Sequence, residues 1–143
     1  MAKLSRQAMK IFLGEQKVCR LATADRFGQP HVVPVWHILL DGDLYIETSP
    51  SSKKGLNLKT NPKLALVVDA GDTFDTYKGV MIQGRVEFVK DKKMLVRFRE
   101  AMAQRYFGTS EHPGYKYLVS GSDPLLMKVI PEKVVTWDYS QKK

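Results

Sequence analysis

The chain has 143 residues, 43% of them hydrophobic and 27% charged, which excludes global disorder and fits about one ordinary domain. One cysteine, Cys19, rules out an internal disulfide and a cysteine-built zinc site. The first residues lack the pattern of a signal peptide, and no apolar run nears the ~18 residues of a membrane span. These features predict a soluble, cytoplasmic protein. The charge is less ordinary: 23 basic and 15 acidic residues give +8, which points to an anionic partner. Four lysines and no acid fall between Thr48 and Val68, so half of the excess sits in one stretch.

In chain order, Ser5 caps a short helix carrying Leu4, Ala8, Met9, Phe12 and Leu13 near one face, with Gly14 as its stop. Lys17–Ala24 reads as a strand, Asp25-Arg-Phe-Gly-Gln-Pro30 as a turn and His31–Leu40 as a second strand. Asp41-Gly42-Asp43 is a tight hairpin signal, and Leu44–Thr48 a third strand with Leu44 and Ile46 opposite Tyr45 and Glu47. Lys53–Thr60 is a short helix ended by Asn61-Pro62. Leu64–Asp69 is a continuous apolar strand expected to be buried on both faces, and Ala70–Tyr77 is a polar loop. Lys78–Val89 alternates, with Val80, Ile82, Val86 and Phe88 on one face. Asp91 caps the longest helix, Lys92–Phe107, which Gly108 closes; its apolar side holds Leu95, Phe98 and Met102, and Arg97, Arg99 and Arg105 form its wet side, the lesser alternative being that they flank an anionic ligand tail. Thr109–Ser122 reads as a mobile insertion, followed by late strands Leu125–Ile130 and Val134–Tyr139 around Pro131.

Strands following strands through tight turns predict a mainly β fold. We expect a six- to seven-stranded antiparallel split β-barrel with peripheral helices, forming one domain over residues 1–143.

Two local conflicts mark the candidate site. In Thr48-Ser-Pro-Ser-Ser-Lys-Lys-Gly-Leu-Asn-Leu-Lys-Thr-Asn-Pro62, Ser51 or Ser52 caps a helix whose first turn carries Lys53 and Lys54. That charge opposes the helix dipole. An anion at the helix start removes the conflict, because backbone N–H groups, two ammonium groups and the hydroxyls of Thr48, Ser49, Ser51 and Ser52 would converge on it. A monophosphate fits that inventory; a solvated lysine pair after a turn is the plainer alternative. Pro34 lies mid-strand in Val32-Val-Pro-Val-Trp-His37, where it removes a ladder donor and calls for an edge or a bulge. Trp36 could pack a planar heterocycle beside such an edge, although taken alone an ordinary edge strand blunted by proline is the favoured reading. His37 reads as a locally satisfied strand histidine, His31 and His112 as turn or loop residues, and Cys19 as packed.

Taken together and in order, these segments resemble the pyridoxamine 5′-phosphate oxidase-like, FMN-binding split-barrel family. The resemblance runs from Val18 to Val89 and rests on Thr48, Ser52-Lys53-Lys54, Leu58 and Asn61-Pro62, with Gly28-Gln-Pro-His-Val-Val-Pro-Val-Trp36 and Ile82-Gln-Gly-Arg-Val86 in support. It implies FMN at a homodimer interface, with the phosphate held by Lys53 and Lys54 and hydrogen-bonded by Thr48 and Ser52. It places Val33, Pro34, Val35 and Trp36 against the isoalloxazine, Asn57 as a further contact in the flavin/deazaflavin branch, and Trp137 toward the partner's flavin. The family's pyridoxamine phosphate oxidases carry Arg at the position of Val33, Lys at Ile38 and Gln at Gly79, and their C-terminal Arg and His have no counterpart in Thr136–Lys143. The vitamin B6 activity is therefore not expected. The resemblance implies an FMN-dependent oxidoreductase acting on an unidentified small molecule. The alternatives are a reductase using the deazaflavin F420, or a non-enzymatic flavin- or nucleic-acid-binding barrel. The sequence shows no aromatic-basic face for nucleic acid, no metal set and no nucleophile motif.

Overall fold

A computed structural model describes residues 3–121 and 123–140. Ser5 caps α1 (Arg6–Glu15) by accepting the Ala8 N–H. Gly14 does not end this helix: it continues to Glu15, and the Gln16 N–H closes it on the Phe12 carbonyl. No left-handed residue is needed at that exit, so glycine's freedom goes unused.

β1 (Val18–Ala24) pairs with β2 (Pro30–Trp36) through a turn in which Gly28 has φ +85°. The apolar run expected to be one strand over His31–Leu40 is two. It breaks at His37, and β3 (Ile38–Leu40) pairs instead with β4 (Asp43–Thr48) across Asp41 and Gly42, both at positive φ. β5 (Lys63–Ala70) buries only Leu64, Leu66 and Val68, so it is not buried on both faces. Its other side, with Ala65 and Val67, lies half-open because nothing among the described residues covers it.

β6 (Lys78–Val89) pairs along its length with β7 (Leu125–Asp138). The two expected late strands are thus one. Pro131 does not break it, because the register shifts opposite Gln83 and Gly84 and the bulge absorbs an extra residue. Gly84 is required there, since a Cβ would lie 2.1 Å from the Ile130 carbonyl oxygen.

The seven antiparallel strands form one sheet in the order β2-β1-β5-β6-β7-β4-β3. β2 and β3 are its two edges yet are joined through His37 alone. The sheet therefore curls until β2 comes near β4 without pairing to it, which is the split of the barrel. Pro34 stands on an edge strand, where its missing donor costs no ladder bond. Leu21, Ile46, Leu66, Val68, Val80 and Met127 fill the inside, with Phe12 and Leu13 of α1 closing one end.

α2 (Lys53–Thr60) packs on β1. α3 (Lys92–Met102), capped by Asp91, runs into a wider π-helical turn over Ala103–Phe107 and stops at Gly108, φ +78°. Phe98 and Met102 pack with Ile38, Tyr45 and Leu126 in a second core outside the sheet. The segment expected to be a mobile insertion holds a helix, α4 (Pro113–Val119), docked by Tyr115 and Val119 on that second core and by Tyr115 against Phe107. Ser122, the last residue of that insertion, lies outside the described residues. No helix among the described residues is long and apolar enough to cross a membrane.

Candidate functional site

The split between β2 and β4 holds a cavity of about 530 Å³, within the ~300–1,000 Å³ of small-molecule sites. Pro34, Val35 and Trp36 of the edge strand form one wall, and Thr48, Ser49 and Lys54 form the end beside α2. Segments separate in sequence thus meet at one place: six of the eleven candidate residues line the cavity.

The loop before α2 is tightly built. The Ser52 hydroxyl accepts the Gly55 N–H at 3.1 Å, donates to the Ser49 carbonyl at 2.8 Å and lies 2.9 Å from Thr48 Oγ1. Its proton is committed to the loop, so Ser52 sets the helix start. Ser49 Oγ lies 3.0 Å from Ser51 Oγ, and Lys59 Nζ donates to the Pro50 carbonyl. Gly55 carries no signal of this role in the sequence. A Cβ there would lie 2.7 Å from the Ser49 carbonyl oxygen, so glycine lets the loop lie on the helix. The N–H groups of Lys53 and Lys54, in the first turn, have no intrahelical acceptor.

Lys54 stands at that turn, half-buried on the cavity wall, with no carboxylate partner among the described residues. Burial pulls its ammonium below the usual lysine range. Lys53 is exposed and lies near enough to Asp25 to help hold that carboxyl below its ordinary range, behind the larger effect of the Gln29 backbone N–H. Asn57 is buried and donates to Thr23 Oγ1 at 3.0 Å, tying α2 to β1. Val33 is half-buried in β2, and neither it nor Ser52, Lys53 or Asn57 lines the cavity. Trp137 is also away from it, on the outer face of β7, with its ring over Gly79.

Trp36 stacks on Tyr106, ring centroids 4.2 Å apart and nearly parallel, with Phe107 at its edge. The Tyr106 hydroxyl lies 2.6 Å from the Lys17 carbonyl oxygen and 2.8 Å from that of His37, and accepts the His37 N–H. Burial raises its pKa, so it remains a donor. His37 is buried at the corner, its Nε2 2.9 Å from the Leu13 carbonyl oxygen, and burial depresses its pKa.

The helical arginines divide. Arg97 faces solvent and pairs with Asp41. Arg99 and Arg105 do not belong to a wet side: Arg105 donates to the carbonyls of Gly14 and Gln16, and Arg99 lines the cavity. Arg99 donates through Nε and Nη2 to Glu47 Oε1, at 3.2 and 2.7 Å. Glu47, Phe98, Met102 and Leu118 were not identified as site residues from the sequence, and Arg99 entered only as a lesser alternative, flanking an anionic ligand. Their approach depends on how α3 and α4 pack across the split, which no local spacing encodes.

A family model described as pyridoxamine 5′-phosphate oxidase matches residues 5–138. No curated protein matches the sequence. Among solved structures, a conserved hypothetical protein from Mycobacterium tuberculosis is similar, with 27% identity over 95% of this chain and 86% of that chain and a TM-score of 0.85. An FAD-binding protein from Mesorhizobium loti has 24% identity over 94% and 93% of the two chains and a TM-score of 0.73. The heme storage protein HutZ from Vibrio cholerae has 18% identity over 98% and 100%, with a TM-score of 0.77.

Proposed function

The chain belongs to the pyridoxamine 5′-phosphate oxidase family, and on that premise we propose that it binds FMN in the split of the barrel and is an oxidoreductase for a small molecule. The observation that carries this reading is Lys54. A half-buried ammonium without a carboxylate partner among the described residues, at a helix start whose first-turn N–H groups have no intrahelical acceptor, is a site in need of an anion. A phosphate dianion meets that need.

Bound FMN would supply the hydride chemistry. This chain's residues would do the rest. Lys54 and the first turn of α2 hold the phosphate, with Lys53 adding charge from outside. Thr48, Ser49 and Ser52 shape the loop. Pro34, Val35 and Trp36 lie along the ring, with Trp36 held in place by Tyr106, and Phe98 and Met102 exclude water from the far wall. Asn57 acts by fixing α2.

A second copy would complete the site. Val67, Met81, Val135 and Trp137 share a half-buried outer face of β5, β6 and β7, and a homodimer would cover it. Heme, stored by one structural neighbour, is less well served: none of the three histidines lines the cavity. His37 Nε2 is turned to the Leu13 carbonyl, and His112 Nδ1 accepts the Gly114 N–H.

The test is titration of the purified protein with FMN, F420 and hemin, read by absorbance and fluorescence, with mass measured by light scattering. Saturable FMN binding of one per chain by a dimer is expected. Indifference to FMN would refute the proposal, and tighter F420 binding would move it to the deazaflavin branch.

A further inference from the structure

Besides Lys54, the cavity wall carries one more charged feature, the Glu47–Arg99 pair. Both side chains are largely shielded, 14% and 22% exposed, so their charges are weakly screened. Both donors of Arg99 fall on one oxygen of Glu47, leaving the other carboxylate oxygen and the second terminal amino group outside the pair. With Lys54 assigned to the cofactor phosphate, the remaining charges cancel. The rest of that wall is Phe98, Met102, Leu118 and Trp36.

An anionic substrate meets a difficulty here. To reach Arg99 it must displace Glu47, which strands a shielded carboxylate, or else lie beside it. We propose that Glu47 is a specificity-determining residue that excludes a second anion, so that the substrate is an uncharged, mainly apolar molecule whose carbonyl or nitro oxygen accepts from Arg99. This inference rests on the FMN reading. Specificity of this kind comes from repulsion of the wrong ligand as much as from attraction of the right one.

The test uses two probes of nearly equal shape, para-nitrobenzamide and para-nitrobenzoate, in equilibrium dialysis against the FMN-loaded protein without reductant. The amide should be retained about tenfold or more above the carboxylate, and Glu47→Gln should reduce that ratio by about tenfold. Arg99→Gln, which leaves Glu47 uncompensated, should widen it, and it decides the matter should Glu47→Gln fail to fold. Equal retention by the unaltered protein, retention of neither probe, or a ratio unmoved by these substitutions overturns this inference alone when FMN is bound normally. Failure of the unaltered protein to bind FMN overturns the parent reading.

Discussion

Replacing Lys54 by alanine separates the two roles that a site lysine can have. In the ligand-free protein its ammonium is half-buried, depressed by burial, and without a carboxylate partner among the described residues. Removing it therefore costs the fold little and should leave Tm unchanged or slightly higher. On the proposed reading, the same ammonium would make a charge-assisted contact to the phosphate of FMN, worth about 1.5–3 kcal/mol. At about 1.4 kcal/mol per decade, Kd should rise roughly 10- to 150-fold. Lys53 is exposed, and its loss should cost no more than about 1 kcal/mol, or about fivefold. The assay is fluorescence titration of FMN into the unaltered protein, Lys54→Ala and Lys53→Ala, with parallel thermal melts. An FMN Kd within twofold of normal in Lys54→Ala would refute the placement of the phosphate. So would a larger loss in Lys53→Ala.

Other expectations concern the frame around the site. Gly55→Ala should stabilise an isolated helix by about 1 kcal/mol, but the new Cβ would meet the Ser49 carbonyl; a lower Tm and weaker FMN binding are expected, and a higher Tm would show that the loop yields freely. His37 is held neutral by burial, so unfolded chains take up a proton that the folded protein refuses as pH falls through about 6.5. Urea denaturation should show stability lost from about pH 7.5 to 5.5, and less of that loss in His37→Gln. Burial pushes the Cys19 thiol up to about 12, so it should resist thiol reagents near pH 8 until urea unfolds the chain.

What the sequence made legible was local. Alternation and turn chemistry marked β1, the Asp41–Gly42 hairpin and β6, and the Ser5, Ser52 and Asp91 caps marked three helix starts. The segments for Pro34–Trp36 and Thr48–Lys54 were recognisable because each breaks a local rule, a proline in a strand and lysines at a helix start. What stayed hidden depends on partners distant in sequence. The break at His37 carries no turn signal in His31–Leu40, because it is held by the Leu13 carbonyl and the Tyr106 hydroxyl. Pro131 looked like a strand end because the bulge that accommodates it is shared with Gly84. α4 has too few residues for a clear period, and its docking on Phe107 and the second core defines it. Glu47 and Arg99, 52 positions apart, carry no mutual signal in the chain.

The single residue linking the two edges has a mechanical meaning. β2 and the β3–β4 hairpin diverge from the chain at His37 like the arms of a pair of compasses, and the cavity lies between β2 and β4. The arms cannot separate at the pivot, so the gap is set by the angle at which the corner is braced. Tyr106 and Arg105 supply that brace, the first between Lys17 and His37, the second on the end of α1. Neither lines the cavity, yet both fix the corner from which its two walls diverge.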